Sequence, residues 1–279
     1  MSNTTNYHSH CSFCDGKAPM EDFVRAAIDA GFVAYGISSH APLPFPTRWT
    51  LAEEKVPEYL AEIERLKREY AGKIELYAGM EIDYLNEEQN PALGYFRNLP
   101  LDFRIGSVHL VYTPEGEIVD TDTNAENFRQ LLDVYFHGDL KLLVGTYFAA
   151  SMRMVERGGF DFIGHTNKIG YNVSQCKPGA TETAWYQSKL EDLFALIAEK
   201  GIMVEINTKA FCQKGCFFPD IKDWTYIKQW NLPVVVNSDT HIPEYVNTGR
   251  LEALKLLREM GFRTVRQLMQ RRWQEVEIV

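Results

Sequence analysis

The chain has 279 residues, 45% of them hydrophobic and 24% charged, and a formal net charge of −9. That length and apolar content allow a sizeable buried core and exclude disorder, while no apolar run approaches the roughly 18 residues needed to span a bilayer. The acidic balance argues against a nucleic-acid backbone as the main partner, although bound cations can reverse the local sign of a site and admit a small phosphorylated metabolite. The polar start Met1 to Thr5 does not read as a signal sequence, so a cytoplasmic protein is expected. The five cysteines, Cys11, Cys14, Cys176, Cys212 and Cys216, are an odd set and read as free thiols.

Taken in order, the stretch Asn6-Tyr7-His8-Ser9-His10 places two histidines two residues apart, on one side of a strand end, where both can reach one ion. Pro19 opens a helix with the apolar face Phe23, Ala26, Ala27 and Ala30 and the C-cap Gly31. Phe32 to Ile37 is a short buried strand running into Ser38-Ser39-His40. The loop Ala41 to Thr50 is rich in proline and aromatic residues and reads as a lid, followed by an amphipathic helix from Leu51 to about Tyr70. Ile74 to Met80 predicts a third strand, ending in Glu81, and Phe103 to Val108 a fourth, ending at His109. Tyr112 to Asp120 is a hairpin around Pro114 and Gly116, and Ala125 to Arg157 is helical with a joint near Gly138. A fifth strand, Phe160 to Gly164, ends at His165. After a helix from Trp185 to Lys200, a sixth strand, Ile202 to Ile206, ends in Asn207-Thr208-Lys209. The seventh, Leu232 to Val236, ends in Asn237-Ser238-Asp239-Thr240-His241, and a helix runs from about Pro243 to Met260. The tail from Phe262 to Val279 carries mixed signals and receives no assignment.

Strand and helix alternate about seven times with no linker, which predicts one domain over residues 1–279 built as an α/β barrel. A doubly wound open sheet is the alternative, but a glycine-rich phosphate loop is absent. Of the seven histidines, only His137 falls away from a predicted strand end, in a helix, where it reads as structural. A barrel gathers its strand C-termini on one face, so His8, His10, His40, His109, His165 and His241 would converge there with Glu81 and Asp239. Imidazoles with carboxylates suit zinc, iron or manganese, and so many ligands, with Asp15 added, would hold more than one ion.

These residues resemble the polymerase-and-histidinol-phosphatase (PHP) family, in particular its free-standing histidinol-phosphate phosphatases. The resemblance rests on His8-x-His10, His40-Ala41-Pro42-Leu43-Pro44-Phe45, Gly79-Met80-Glu81, Gly106-Ser107-Val108-His109, Gly164-His165, Glu205-Ile206-Asn207-Thr208 and Ser238-Asp239-Thr240-His241. It implies a distorted seven-stranded, TIM-like (β/α) barrel with two to three divalent transition-metal ions. His8, His10, Glu81 and Asp239 would hold one ion, Asp15, His40 and His241 a second, and Glu81, as a bridge, with His109 and His165 a third. Asn6 stands where the family often has Asp, and Asp15 where many members have a histidine, a harder ligand that would favour iron or manganese over zinc.

The activity so implied is hydrolysis of L-histidinol phosphate, in histidine biosynthesis, by a metal-bridging hydroxide attacking phosphorus in line. Lys168 and Lys209, and less directly Lys214, are candidates to bind the phosphoryl oxygens, and Asp239, with His241, to handle the proton of the leaving alcohol. Three rivals are an amidohydrolase-type barrel, a PHP phosphoesterase acting on nucleotides or diesters, and a non-catalytic metal store.

Overall fold

The computed structural model describes residues 4–278. In chain order the strands are β1 (Thr5–Asn6), β2 (Ala34–Ile37), β3 (Glu75–Ala78), β4 (Glu81–Asp83), β5 (Ile105–Ser107), β6 (Leu110–Tyr112), β7 (Ile118–Asp120), β8 (Phe162–Ile163), β9 (Met203–Asn207), β10 (Val234–Asn237), β11 (Thr264–Met269) and β12 (Arg272–Glu277). The main helices are α1 (Met20–Asp29), α2 (Val56–Glu69), α3 (Ala125–Tyr135), α4 (Leu140–Arg157), α5 (Ile169–Cys176), α6 (Ala184–Lys200), α7 (Trp224–Gln229) and α8 (Arg250–Glu259).

Parallel pairing gives a three-stranded sheet, β1-β2-β3, and a five-stranded sheet, β10-β9-β8-β5-β4. Single parallel bridges link their edges, Ser9 to Thr240 on one side and His40 to Glu81 on the other. The strand expected over Ile74–Glu81 is split: β3 pairs with β2 and β4 with β5. Gly79 N–H still donates to Ile37 O, while Ile105 N–H donates to Met80 O, so the chain changes sheets at Gly79-Met80.

Side chains alternate along each strand, so residues two apart share a face. On the inward face the character changes from apolar to polar toward the C-terminal end: Ile105, Ser107, His109 on one strand; Met203, Glu205, Asn207 and Val235, Asn237, Asp239 on others. The apolar end is closed by Tyr7, Tyr77, Phe103, Phe162 and Leu268, with Trp273 packed against them. The polar end carries the predicted site residues. Outside the sheets, α3 to α7 and α8 bury a large cluster that includes Phe128, Phe148, Leu193 and Trp224. α1 and α2 bury Phe23, Tyr59 and Ile63 against β2 and β3.

Two further expectations change, and the unassigned tail takes a definite structure. His137 is in no helix: it sits between α3 and α4 with φ +51, exposed and paired with Glu115 at 3.0 Å. The helix expected from Pro243 begins only at Arg250, because Gly249 adopts φ +61 and a short 3-10 turn, Pro243–Tyr245, precedes it. The unassigned tail forms the antiparallel hairpin β11–β12, its described part ending at residue 278.

Candidate metal centre

Glu81 is completely buried, and five histidines face its two carboxylate oxygens. His8 Nε2 and His10 Nε2 lie 3.2 and 3.4 Å from Oε2. The same two nitrogens lie 3.6 and 3.3 Å from Asp239 Oδ1. On the other side, His165 Nε2 is 2.9 Å and His109 Nε2 3.7 Å from Oε1, with 3.1 Å between the two nitrogens. His241 Nε2 and His40 Nε2 stand 3.3 and 3.8 Å from Asp15 Oδ1. The residues that the resemblance implies as ligands are thus brought into one cluster around Glu81, Asp239 and Asp15.

Two properties of these atoms fit transition-metal ions. Ligands about 2.0–2.1 Å from a tetrahedral ion are about 3.3 Å from one another, and most of the spacings above lie near that value. His8 Nε2, His10 Nε2, Glu81 Oε2 and Asp15 Oδ1 are buried and, although within 3.2–3.4 Å of a neighbouring nitrogen or oxygen, make no hydrogen bond of good geometry. Each such atom costs about 1–3 kcal/mol, a concentration that a fold tolerates where a cation completes the shell.

The far nitrogens of the imidazoles are held from outside. His8 Nδ1 meets Glu205 Oε1 at 2.7 Å, His109 Nδ1 meets Asp83 Oδ1 at 2.9 Å, and His241 Nδ1 meets the Asp239 carbonyl at 3.1 Å. A carboxylate or carbonyl there directs the ring's other lone pair toward the centre. Burial, assisted by His241 and His40, holds His10 well below the usual histidine range. Burial with Lys168 lowers His165, and burial with Lys209 lowers His241. Burial opposes the charge on His8 and His109 too, but Glu205, Asp239 and Glu81 hold His8, and Asp83 and Glu81 hold His109, above the usual histidine range. These two must give up a proton to bind metal, while the other three are already in the neutral, metal-binding form. Burial alone would raise Glu81 and Asp239, yet surrounding histidines, and Lys209 beside Asp239, hold both carboxyls well below their usual range.

A cavity of about 200 Å³ opens over the cluster, lined by His40, His109, Asp239 and His241 together with Trp49, Asp120, Asp122 and Lys209. Trp49, from the loop read as a lid, stands edge-on to His40 with 4.8 Å between ring centroids. Lys209 Nζ is 3.3 Å from Asp239 Oδ1, and Lys168 pairs with Asp122. Burial opposes the Lys168 charge, but Asp122 and Asp239 outweigh it and raise the ammonium above the usual lysine range. Lys214 is not among the cavity-lining residues; its ammonium lies over the Tyr171 ring, 4.4 Å from the centroid.

A PHP domain family model matches residues 6–209. The chain belongs to the PHP domain family. A Deinococcus radiodurans protein named a probable histidinol-phosphatase is 27% identical over 95% of this PHP chain and 96% of its own length. The histidinol-phosphatase of Bacillus subtilis is 24% identical, covering 84% and 92%. A solved structure of the histidinol phosphate phosphatase of Lactococcus lactis, complexed with zinc, L-histidinol and phosphate, shares the fold with a TM-score of 0.70 at 21% identity, over 97% of this chain and 98% of that one.

Within this PHP site, sequence reasoning assigned no role to Asp83, Glu205 or Asp122, and read Trp49 only as part of a lid-like loop. Glu205 had a signal, a carboxylate alone in the apolar strand Met203-Val204-Glu205-Ile206, where an unpaired charge would not be buried. Asp83 shares a strand face with Glu81. Asp122 and Trp49 lie in loops, where no periodicity identifies them.

Proposed function

We propose that this PHP chain is a metal-dependent phosphomonoesterase whose substrate is L-histidinol phosphate. The observation that carries the reading is the set of imidazole and carboxylate atoms spaced as metal ligands around Glu81. The names of the relatives supply the substrate. We assign His8, His10, Glu81 and Asp239 to one ion, Asp15, His40 and His241 to a second, and Glu81, His109 and His165 to a third, with zinc, iron or manganese as candidates. The mutually close ligand atoms fall into the overlapping groups His8-His10-Asp239, His10-Asp15-His40-His241, His8-Glu81-His165 and His40-Asp83-His109, so the division among ions is part of the proposal. Such ions lower the pKa of water to near neutrality and neutralise charge on transferring phosphoryl oxygens.

The chain's own groups do the rest. Lys209 on the cavity wall and Lys168 behind Asp122 supply positive charge for the phosphoryl oxygens, Lys168 staying protonated because of its carboxylate neighbours. Asp239, with His241 beside it at 3.6 Å, is assigned to handle the proton of the departing alcohol. Trp49 narrows the entrance and limits access of bulk water. In this reading the two sheets form one distorted seven-stranded TIM-like barrel, and the enzyme works in the cytoplasm; no helix among the described residues is long and apolar enough to cross a membrane.

The test is phosphate release from phosphomonoesters, phosphodiesters and small amides, with metals quantified, beside His8→Ala and Glu81→Ala. Release from histidinol phosphate alone, lost by at least about a thousandfold in both variants, is the expected result for removal of a metal ligand. Preferred turnover of diesters, nucleotides or amides would move the chain to another PHP or amidohydrolase-type activity. Full metal loading with no turnover would leave a metal store.

A further inference from the structure

The turn Gly164 to Lys168, directly after β8, carries two site residues on a backbone that does not favour its own conformation. His165 has φ +27 and Asn167 φ +61, left-handed values that cost a non-glycine residue about 1 kcal/mol or more each. Strain of this kind persists only where the surroundings hold it. On the site side, His165 N–H donates to Glu205 Oε2 at 2.8 Å. On the far side, Asn167 Nδ2 donates to Asp223 Oδ2 at 2.8 Å, and Tyr186 OH donates to Asn167 Oδ1 at 2.5 Å.

Both ends of the Asn167 amide are therefore engaged, which fixes its orientation. All three side chains are buried: Asn167 is 6% exposed, Asp223 1% and Tyr186 0%. The contact is tight on the Tyr186 side, while a cavity of about 40 Å³ borders Asn167, Gly170 and Asp223 on the other. A Cβ on Gly170 would come within 2.8 Å of Tyr186 Oη, so the helix α5 lies directly against the hydroxyl. Asp223 lies beyond the residues the family model matches, and nothing in the reaction requires it to be there. A buried carboxylate is costly, and the feature that uses this one is the Asn167 amide.

We propose that Tyr186, Asn167 and Asp223 form a clamp that positions the His165–Lys168 turn, so that one buried contact sets both the His165 imidazole and the Lys168 ammonium. The same turn presents His165 Nε2 to Glu81 at 2.9 Å and Lys168 to Asp122 on the cavity wall. These are positioning residues and touch no reacting atom. The inference rests on the reading of His165 as a metal ligand and Lys168 as a phosphate-side cation.

The test uses the full chain with Tyr186→Phe, Asn167→Gly and Asp223→Asn. Glycine tolerates the positive φ, and Asn at 223 keeps an acceptor for Asn167. Zinc affinity by chelator competition, amide hydrogen exchange of residues 164–168 in the metal-free protein, and KM for a phosphomonoester are measured beside Tm. Tyr186→Phe and Asn167→Gly are expected to weaken zinc binding about tenfold or more, as loss of outer support for a ligand does, with faster exchange confined to the turn and a raised KM. Asp223→Asn is expected to keep the parent's zinc affinity and exchange at the turn. Unchanged zinc affinity and exchange in the first two variants, or losses that merely follow a global drop in Tm, would overturn the clamp. A parent protein that binds zinc and loses it in the two variants, yet releases no phosphate from any ester, supports the clamp and removes the phosphatase reading.

Discussion

Glu81 shows how much one side chain can organise. Its oxygens face His8, His10 and His40 on one side and His109 and His165 on the other, so a single buried carboxylate is common to two of the proposed ion sites. Such a residue works only if its partners are aimed, and Glu205 does that for His8. Glu205 also accepts from His165 N, Asn207 Nδ2 and Asn237 Nδ2, each at 2.8–2.9 Å. Glu205→Gln keeps the shape and removes the charge, and metal affinity should fall about 10–100-fold with little change in secondary structure, measured by chelator competition and circular dichroism. Undiminished affinity would show that His8 needs no outer carboxylate. At this scale the candidate ligands were legible because histidine, aspartate and glutamate at strand ends have few other uses. Their supporting partners were not, because Asp83 and Glu205 act through distances between strands that a linear pattern does not contain.

Elements were legible where their pattern was long. α2, α6 and the α3–α4 pair follow clear helical periodicity, and Gly201 ends α6 in the left-handed conformation expected of a C-cap. The strands were harder to bound, since only two to six residues of each are paired and the strand through Gly79 serves two sheets. Small elements placed late in the chain carry consequences the pattern hid. The 3-10 turn Ile221–Asp223 buries a carboxyl that burial, against Asn167's hydrogen bond, pushes up to about 6. A raised carboxyl binds more protons folded than unfolded, so its contribution falls as pH rises from about 4 to about 6, by up to about 3 kcal/mol at full ionisation. Asp223→Asn should therefore gain stability relative to the parent at pH 7.5 and not at pH 4, measured by denaturant unfolding at both. An equal difference at the two values would contradict this account.

At the scale of the whole molecule, the two ends of the chain meet under the site. Tyr7, one residue before the first ligand, donates its hydroxyl to Leu268 O and accepts from Leu268 N, both at 2.9 Å, while its ring packs edge-on to Tyr77, Phe103 and Trp273. The hairpin β11–β12 thus closes the apolar end of the sheets. Tyr7→Phe leaves two buried backbone groups short of a partner and should cost about 1–3 kcal/mol in urea unfolding, with metal affinity retained. A neutral effect would mean that β12 alone satisfies Leu268.

What the sequence determined by itself was the chemistry and its order. Strand and helix periods are local, and a histidine or carboxylate at a strand end can be read without knowing its neighbours, so the α/β alternation and the candidate ligands followed from residue types and spacing, and the family from the resemblance of its motifs. What only the tertiary structure decided was everything that depends on separation in space: the partner exchange at Gly79-Met80, the carboxylates behind His8 and His109, the engagement of Lys168 with Asp122, and the fold of the tail against Tyr7. Those contacts join residues tens to hundreds of positions apart, and their energies arise from burial and geometry that no single stretch of chain contains.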